Sequence, residues 1–340
     1  MEKKMRVGML GVGGFGGYRR ERMRETGLFE IVTAFDINKE SLTKCELEDG
    51  AKPVNSFEEL LATPGIEAVV ISTGAKFHAE QALAAMDRGL HVFVEKPLCA
   101  TSDEVRALIK KQRETKLVVA VGHNDHSHDG KSLATKRMID SGELGTVVAI
   151  EKTTAHNDGL NIKPGDWRGD PAKNPGGMLF QCGVHALHEL MFYFGPVSAV
   201  GCMMRYDVHT TKTADAAVCT LRFASGIIGT LNAYHVTPYR HRLDILGTKA
   251  NLYREELFFD EGVKMWKQVT RYDGKKEPRT AVEITDKDDA CGNLRSFYKA
   301  VREGGEPYPS LIDGARAVQI VFAAEQSAAT GRIIELEQIQ

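Results

Sequence analysis

Three glycines near the N-terminus, Gly11, Gly13 and Gly16, constrain this chain more than any other feature. They follow a short apolar run, 5–10, that reads as a buried parallel strand, and precede 18–26, a charged stretch compatible with a helix. Gly14 and Phe15 complete the turn between them. A strand, a glycine turn and a helix in that order present bare backbone N–H groups and the positive end of a helix dipole to a pyrophosphate. A second strand, 30–35, then delivers Asp36, twenty positions past Gly16, where a ribose would lie. Its carboxylate can accept hydrogen bonds from both ribose hydroxyls but would repel a 2′-phosphate, and Ile37 after it offers no cation. A glycine-rich turn without a ligand is the alternative, and the spacing to Asp36 speaks against it. The expectation is NAD, preferred over NADP.

At 340 residues the chain is long for one core and comfortable as two domains. A formal net charge of −2 leaves no footprint for nucleic acid or an anionic membrane, and no apolar stretch approaches the length that spans a bilayer. The first residues lead straight into a strand with no room for a cleavable signal, so a cytoplasmic protein is expected. Six cysteines are scattered without a Cys-x-x-Cys pair, which reads as reduced, mostly buried thiols and not as a disulfide framework or zinc site.

From 5 to 122 apolar runs alternate with amphipathic stretches. Strands are expected at 5–10, 30–35, 67–73, 91–94 and 117–121, with a short one at 52–54, and helices at 57–62, 76–88 and 102–115. Asn38, Ser56 and Thr101 are of the capping type. Such alternation implies an α/β fold with a doubly wound parallel sheet over 1–123, whose ligands lie at the carboxyl ends of the strands. Asp36, Ser72, Thr73, Glu95, Lys96 and His123 all fall at those ends. After 123 the pattern changes. Strand-like runs at 147–154, 197–205, 216–223, 227–235, 242–246 and 263–269 accompany helices at 131–141 and 178–194. The expectation for 124–340 is an α+β domain with an open, largely antiparallel sheet, its last helices, 293–302 and 311–330, returning to the first domain.

Lys96 follows directly on the strand 91–94, in Glu95-Lys96-Pro97. An ammonium there would stand beside a nicotinamide and stabilise alkoxide charge as a hydride moves. The competing reading is a surface lysine in a turn. With the N-terminal glycine motif, this tripeptide, and Gly183-Val184-His185 on a helix, the chain resembles the glucose–fructose oxidoreductase, inositol dehydrogenase and rhizopine catabolism (Gfo/Idh/MocA) family over essentially its whole length. The Trp167-Arg168 pair and Gly176-Gly177 turn are part of that likeness. The resemblance implies a Rossmann domain, an open sheet that mediates homodimer or homotetramer contacts, and NAD(P)-dependent redox chemistry on a sugar, cyclitol or related polyol. It implies Lys96 and His185 as catalytic residues, Asp36 as the ribose acid, and Ser72, Thr73 and His78 along the cofactor, with Glu95 beside them.

Three positions depart from the family pattern. Gln181 stands where an Asp is frequent, one turn before His185; a carboxylate there would stabilise imidazolium, and an amide lends no charge. The loop after the sixth strand reads His123-Asn124-Asp125-His126-Ser127-His128 in place of an Asn-Arg-Arg run, and His188 stands where an acid is frequent. His123, Asn124, Trp167 and Gln181 are the further expected substrate contacts, and Arg168 a cofactor contact. The histidine-rich loop invites a metal, but its spacing matches no recurring zinc motif and hydride transfer needs none. No metal is expected. Two other functions fit such a chain: cleavage of a glycosidic bond by transient oxidation with tightly held NAD, and a non-catalytic NAD-binding sensor, against which Lys96 and His185 both speak.

Overall fold

The computed structural model describes residues 3–209, 211–257, 262–273, 275 and 277–339. They form two compact units, Met1–Asp125 with Asp289–Ala315, and His126–Asp288 with Arg316–Gln340.

In the first unit β1 (Met5–Leu10), α1 (Phe15–Thr26), β2 (Phe29–Phe35), α2 (Lys39–Asp49), β3 (Lys52–Pro53) and α3 (Phe57–Leu61) come first. β4 (Ala68–Ile71), α4 (Ala75–Asp87), β5 (His91–Val94), α5 (Ser102–Thr115) and β6 (Val119–Val121) follow. All six strands are parallel, in the order β3-β2-β1-β4-β5-β6. β4 and β6 are buried along their whole length, which is why these runs read as continuously apolar. The order reverses between β1 and β4, so a crevice opens at their carboxyl ends. Asn38 and Ser56 cap α2 and α3, and Thr101 opens α5 in a reciprocal box with Glu104. Helix α2 was not expected from periodicity. Only Cys45 of it is buried, so its apolar stripe is too thin to read. The later helix Gly292–Glu303 adds Leu294 and Phe297 to this core, Phe297 edge-on to Phe93.

The second unit holds α6 (Gly130–Asp140), β7 (Val147–Ala155), a π-helical turn (Leu179–Gly183) continuing into α7 (Val184–Phe194), β8 (Val197–Arg205), β9 (Ala216–Phe223) and β10 (Ile228–Tyr234). β11 (Arg240–Gly247), β12 (Ala250–Glu256), β13 (Val263–Val269), β14 (Arg279–Ala281) and β15 (Ile334–Glu335) complete it. Nine strands lie in the order β14-β13-β12-β11-β7-β10-β9-β8-β15, antiparallel except where β7 meets β10. One face is buried and the other open. Along β9, Ala217, Cys219, Leu221 and Phe223 are buried while Val218, Thr220 and Arg222 are exposed. Strand β12 was missed because one of its three buried positions is Arg254, and β14 and β15 are too short to announce themselves. Among the described residues no helix is long and apolar enough to cross a membrane.

Candidate active site

The glycine turn is a cradle that side chains would fill. Gly11 and Gly14 hold φ of 74° and 51°, where a Cβ is strained. A Cβ on Gly16 would fall 2.1 Å from the Gly11 carbonyl oxygen, and one on Gly11 would fall 2.7 Å from that of Ser72. The first turn of α1 therefore packs hard against the turn that precedes it. Gly14 caps α1 without a side-chain hydrogen bond, and nothing lies within 4 Å of where its Cβ would be. The Asp36 carboxylate accepts from the N–H groups of Val12 (2.8 Å), Gly13 (3.2 Å) and Asn38 (2.8 Å), so it ties β2 to the turn. Ile37 is 93% exposed. Ser72 Oγ is buried with no hydrogen-bond partner among the described residues, and Thr73 Oγ1 donates to Gln81. An open helix N-terminus, an orphaned hydroxyl and a carboxylate beside the turn fit a dinucleotide.

Lys96 stands half-buried at the end of β5, before a cis peptide to Pro97. Its neighbours hold that turn from behind. Glu95 is 4% exposed and accepts from Arg19 Nε at 2.7 Å. Arg19 Nη1 in turn donates to Asn293, whose amide donates to the carbonyl of His123. A Cβ on Gly122 would lie 2.4 Å from Glu95 Oε2, so the carboxylate fills the space that a side chain at 122 would need. The nitrogens of the buried His78 ring face the carbonyls of Thr73 (2.9 Å) and Pro97 (2.8 Å), and burial pushes its pKa down. The His78 ring fastens the Lys96 turn, and Glu95 does so through one carboxylate oxygen, while its Oε2 is buried with no hydrogen-bond partner among the described residues. His123 is fully buried and Asn124 exposed.

In the second unit Gln181 sits in the π-helical turn and His185 in the first turn of α7, both half-buried. Four residues overshoot one α-turn by about 40°, and π winding reduces that overshoot, so the two share an azimuth. One turn further on, Glu189 is 3% exposed and is gripped from the sheet. Lys152 of β7 donates to it at 2.7 Å, and Arg254 of β12 and the Tyr193 hydroxyl donate to its other oxygen. Burial pushes the Glu189 carboxyl up, but Arg254 and Lys152 outweigh it and hold it well below the usual range. His188 stacks near His126, ring centroids 5.1 Å apart, and burial together with that neighbour lowers its pKa strongly. Arg168 lies over the Trp167 ring at 4.8 Å, and its carbonyl accepts from Asn174 and Thr213. Among the described residues no three His, Cys, Asp or Glu side chains gather to hold a metal.

The ionic grip on Glu189 escaped sequence reasoning. Lys152 lies within the expected strand 147–154, and the signal available in the sequence was three charged residues at core-facing strand or helix positions.

Two family models match the chain, the NAD-binding Rossmann-fold oxidoreductase family over 5–123 and the Gfo/Idh/MocA C-terminal domain over 132–253. The chain is 27% identical to a 1,5-anhydro-D-fructose reductase of Ensifer adhaerens, across 93% of each protein. It is 25% identical to an NAD-linked scyllo-inositol 2-dehydrogenase of Bacillus subtilis, across 99% of this chain and 98% of that one. A crystal structure from Desulfitobacterium hafniense, described as an NADPH-dependent oxidoreductase, superposes with a TM-score of 0.91 at 26% identity, covering 98% of both chains. The chain belongs to the Gfo/Idh/MocA family of oxidoreductases.

Proposed function

We propose that this oxidoreductase transfers a hydride between NAD and a secondary alcohol or ketone of a sugar, cyclitol or related polyol. The observation that carries the reading is the side-chain-free cradle at Gly11–Gly16 on a sheet that also presents Lys96. The backbone of Gly11, Gly13, Gly14, Phe15 and Gly16 would hold the pyrophosphate, Asp36 and Ile37 would border the ribose, and Ser72 and Thr73 would line the cofactor's path. Bound NAD supplies the hydride acceptor or donor.

Lys96 holds the reacting oxygen and stabilises negative charge as it builds there. His185 takes the hydroxyl proton during oxidation and returns it during reduction. Gln181 orients a hydroxyl or the carboxamide. His123, Asn124 and Trp167 border the substrate and Arg168 reaches the cofactor. Residues 1–123 thus bind NAD, and 124–340 bind substrate and join copies of the chain, as a homodimer or homotetramer, through the open face of the nine-stranded sheet. NAD is favoured over NADP because a 2′-phosphate would meet the Asp36 carboxylate. The reductase and inositol dehydrogenase relatives support the substrate class.

The test is a panel of sugars and cyclitols, each with NAD and NADP, followed by formation of the reduced cofactor. Turnover with a polyol and NAD is expected. NAD binding without oxidation of any member, and without reduction of the corresponding ketones, would sink the reading.

A further inference from the structure

Cysteines 17 positions apart in the sequence meet in the second sheet. The register of β8 on β9 sets Cys202 directly opposite Cys219. The Cys202 N–H donates to Ser327 Oγ at 2.8 Å and so is not given to β9. In an antiparallel ladder that marks a non-hydrogen-bonded pair, where opposed Cα atoms lie about 4.5 Å apart and side chains approach most closely. The Cys219 thiol donates to Cys202 Sγ at 3.4 Å. A disulfide needs Cα atoms about 4.4–6.8 Å apart and sulfurs about 2.05 Å apart, so side-chain rotation without strand movement is enough to close one.

The two thiols are not equivalent. Cys219 is 1% exposed and Cys202 is half-buried, so a small oxidant in solution reaches Cys202 first. We propose that Cys202 and Cys219 form a peroxide-sensitive dithiol that closes to an intrachain disulfide, Cys202 attacking and Cys219 resolving. The thiolate of Cys202 attacks one oxygen of hydrogen peroxide, the O–O bond breaks, and the leaving hydroxide takes up a proton to become water. The sulfur of Cys219 then attacks the resulting sulfenic acid, the S–S bond forms, the S–O bond breaks, and a second water leaves. Two thiols lose two electrons to one peroxide.

Acidity follows the same asymmetry. Donation from Cys219 holds the Cys202 thiol below its usual range, whereas that bond and burial push Cys219 well above. Among the other thiols, burial pushes Cys45 up to about 12 and raises Cys99 and Cys291, which keeps them poor nucleophiles.

The experiment treats the intact protein with equimolar hydrogen peroxide and counts thiols in denaturant with an aromatic disulfide reagent. Loss of two of the six thiols is expected, with one proteolytic cross-link joining Cys202 to Cys219, and full recovery with dithiothreitol. In Cys219→Ser the sulfenic acid on Cys202 should persist and be trapped by dimedone. In Cys202→Ser no cross-link to Cys219 should form under the same dose. A cross-link joining other cysteines or two chains would overturn the proposal. So would retention of all six thiols, or oxidation of Cys202 to the sulfinic acid in the wild type. Should a serine variant not fold, the wild-type cross-link map decides alone.

Discussion

The first unit holds its reactive positions by leaving atoms out; the second does so by burying charge. In the first unit the parallel strands have largely apolar interiors, the glycine turn closes on itself because Gly16 and Gly11 lack side chains, and one buried ion pair, Arg19–Glu95, backs Lys96. Around His185 the scaffold is a helix pinned to a sheet through Glu189, Lys152 and Arg254, each no more than 3% exposed. Volume governs the glycine turn, and charge compensation governs the seat of α7. They should therefore break under different substitutions.

Removing Arg254 tests that difference with the largest effect. Arg254→Met leaves the buried Glu189 carboxylate short of a partner, and breaking such a pair costs about 3–5 kcal/mol. Gly16→Ala overpacks the turn instead, at about 1–3 kcal/mol. Urea unfolding of both variants measures the ranking. An Arg254→Met protein as stable as wild type would show that charge does not fasten α7.

Lys96→Ala separates support from chemistry. Because Glu95 and His78 hold the turn, removing the ammonium should leave it in place and NAD affinity near normal. Loss of about 10² or more in kcat is expected from removing a group that meets developing charge. Near-normal turnover with the true substrate would overturn the assignment of Lys96, and a parallel collapse of NAD binding would show that the lysine holds the turn itself.

Acid should weaken the second unit through its buried imidazoles. Burial, as the largest cause, lowers His235 and His241 from 6.5 to about 4. An unfolded chain binds those protons at 6.5 and the folded one does not, so stability is full above that pH and falls as pH drops from 6.5 toward 4. In the first unit burial lowers His78 and His91 in the same sense, and Glu67 is held at about 2, chiefly by Arg302. Its contribution is present above 4.5 and is lost only as pH falls from there through about 2. Both tryptophans, Trp167 and Trp266, belong to the second unit, so their fluorescence reports it selectively. A urea midpoint by tryptophan fluorescence that does not fall between pH ~7 and ~5 would contradict the lowered pKa of His235 and His241.

The same contrast explains what the sequence made legible. Strands β1, β5, β8, β9 and β13 are bounded as expected, because buried parallel strands and clean alternation both leave a pattern in one dimension. The glycine turn was legible for the same reason, since absence of a side chain is written in the residue itself. The grip on Glu189 was not. Lys152, Glu189 and Arg254 are far apart in the chain, and each alone looks like a solvated charge. The Cys202–Cys219 meeting was hidden similarly, because it depends on strand register and not on spacing. Glu95 and His78 fall on the expected elements, but only packing shows that Arg19 holds one Glu95 oxygen and that two backbone carbonyls face the His78 ring.

Cofactor choice sharpens the comparison at a smaller scale. The Asp36 carboxylate should disfavour NADP by about tenfold, ~1.4 kcal/mol. Asp36→Ser with Ile37→Arg should narrow that gap without touching the second unit. Equal binding of NAD and NADP to the wild type by calorimetry would remove the basis for the preference.

The smallest effect concerns Gln181, where the second unit has an amide in place of charge. His185 accepts its proton in the proposed reaction with that amide on its own helical face. Gln181→Asp would place a carboxylate one turn away, and an i,i+4 pair is worth roughly 0.3–0.5 kcal/mol, or about a third of a pH unit. The carboxylate favours imidazolium, so the acid limb of kcat/KM for oxidation should move to higher pH. His185→Ala should remove the limb together with most activity. The π-helical turn makes this a demanding test of geometry, because it sets the azimuth at which residue 181 meets residue 185. An unmoved limb in Gln181→Asp, beside an abolished one in His185→Ala, would mean that His185 is the base and that Gln181 faces elsewhere. An unchanged limb in both variants would remove His185 from the proton's path altogether.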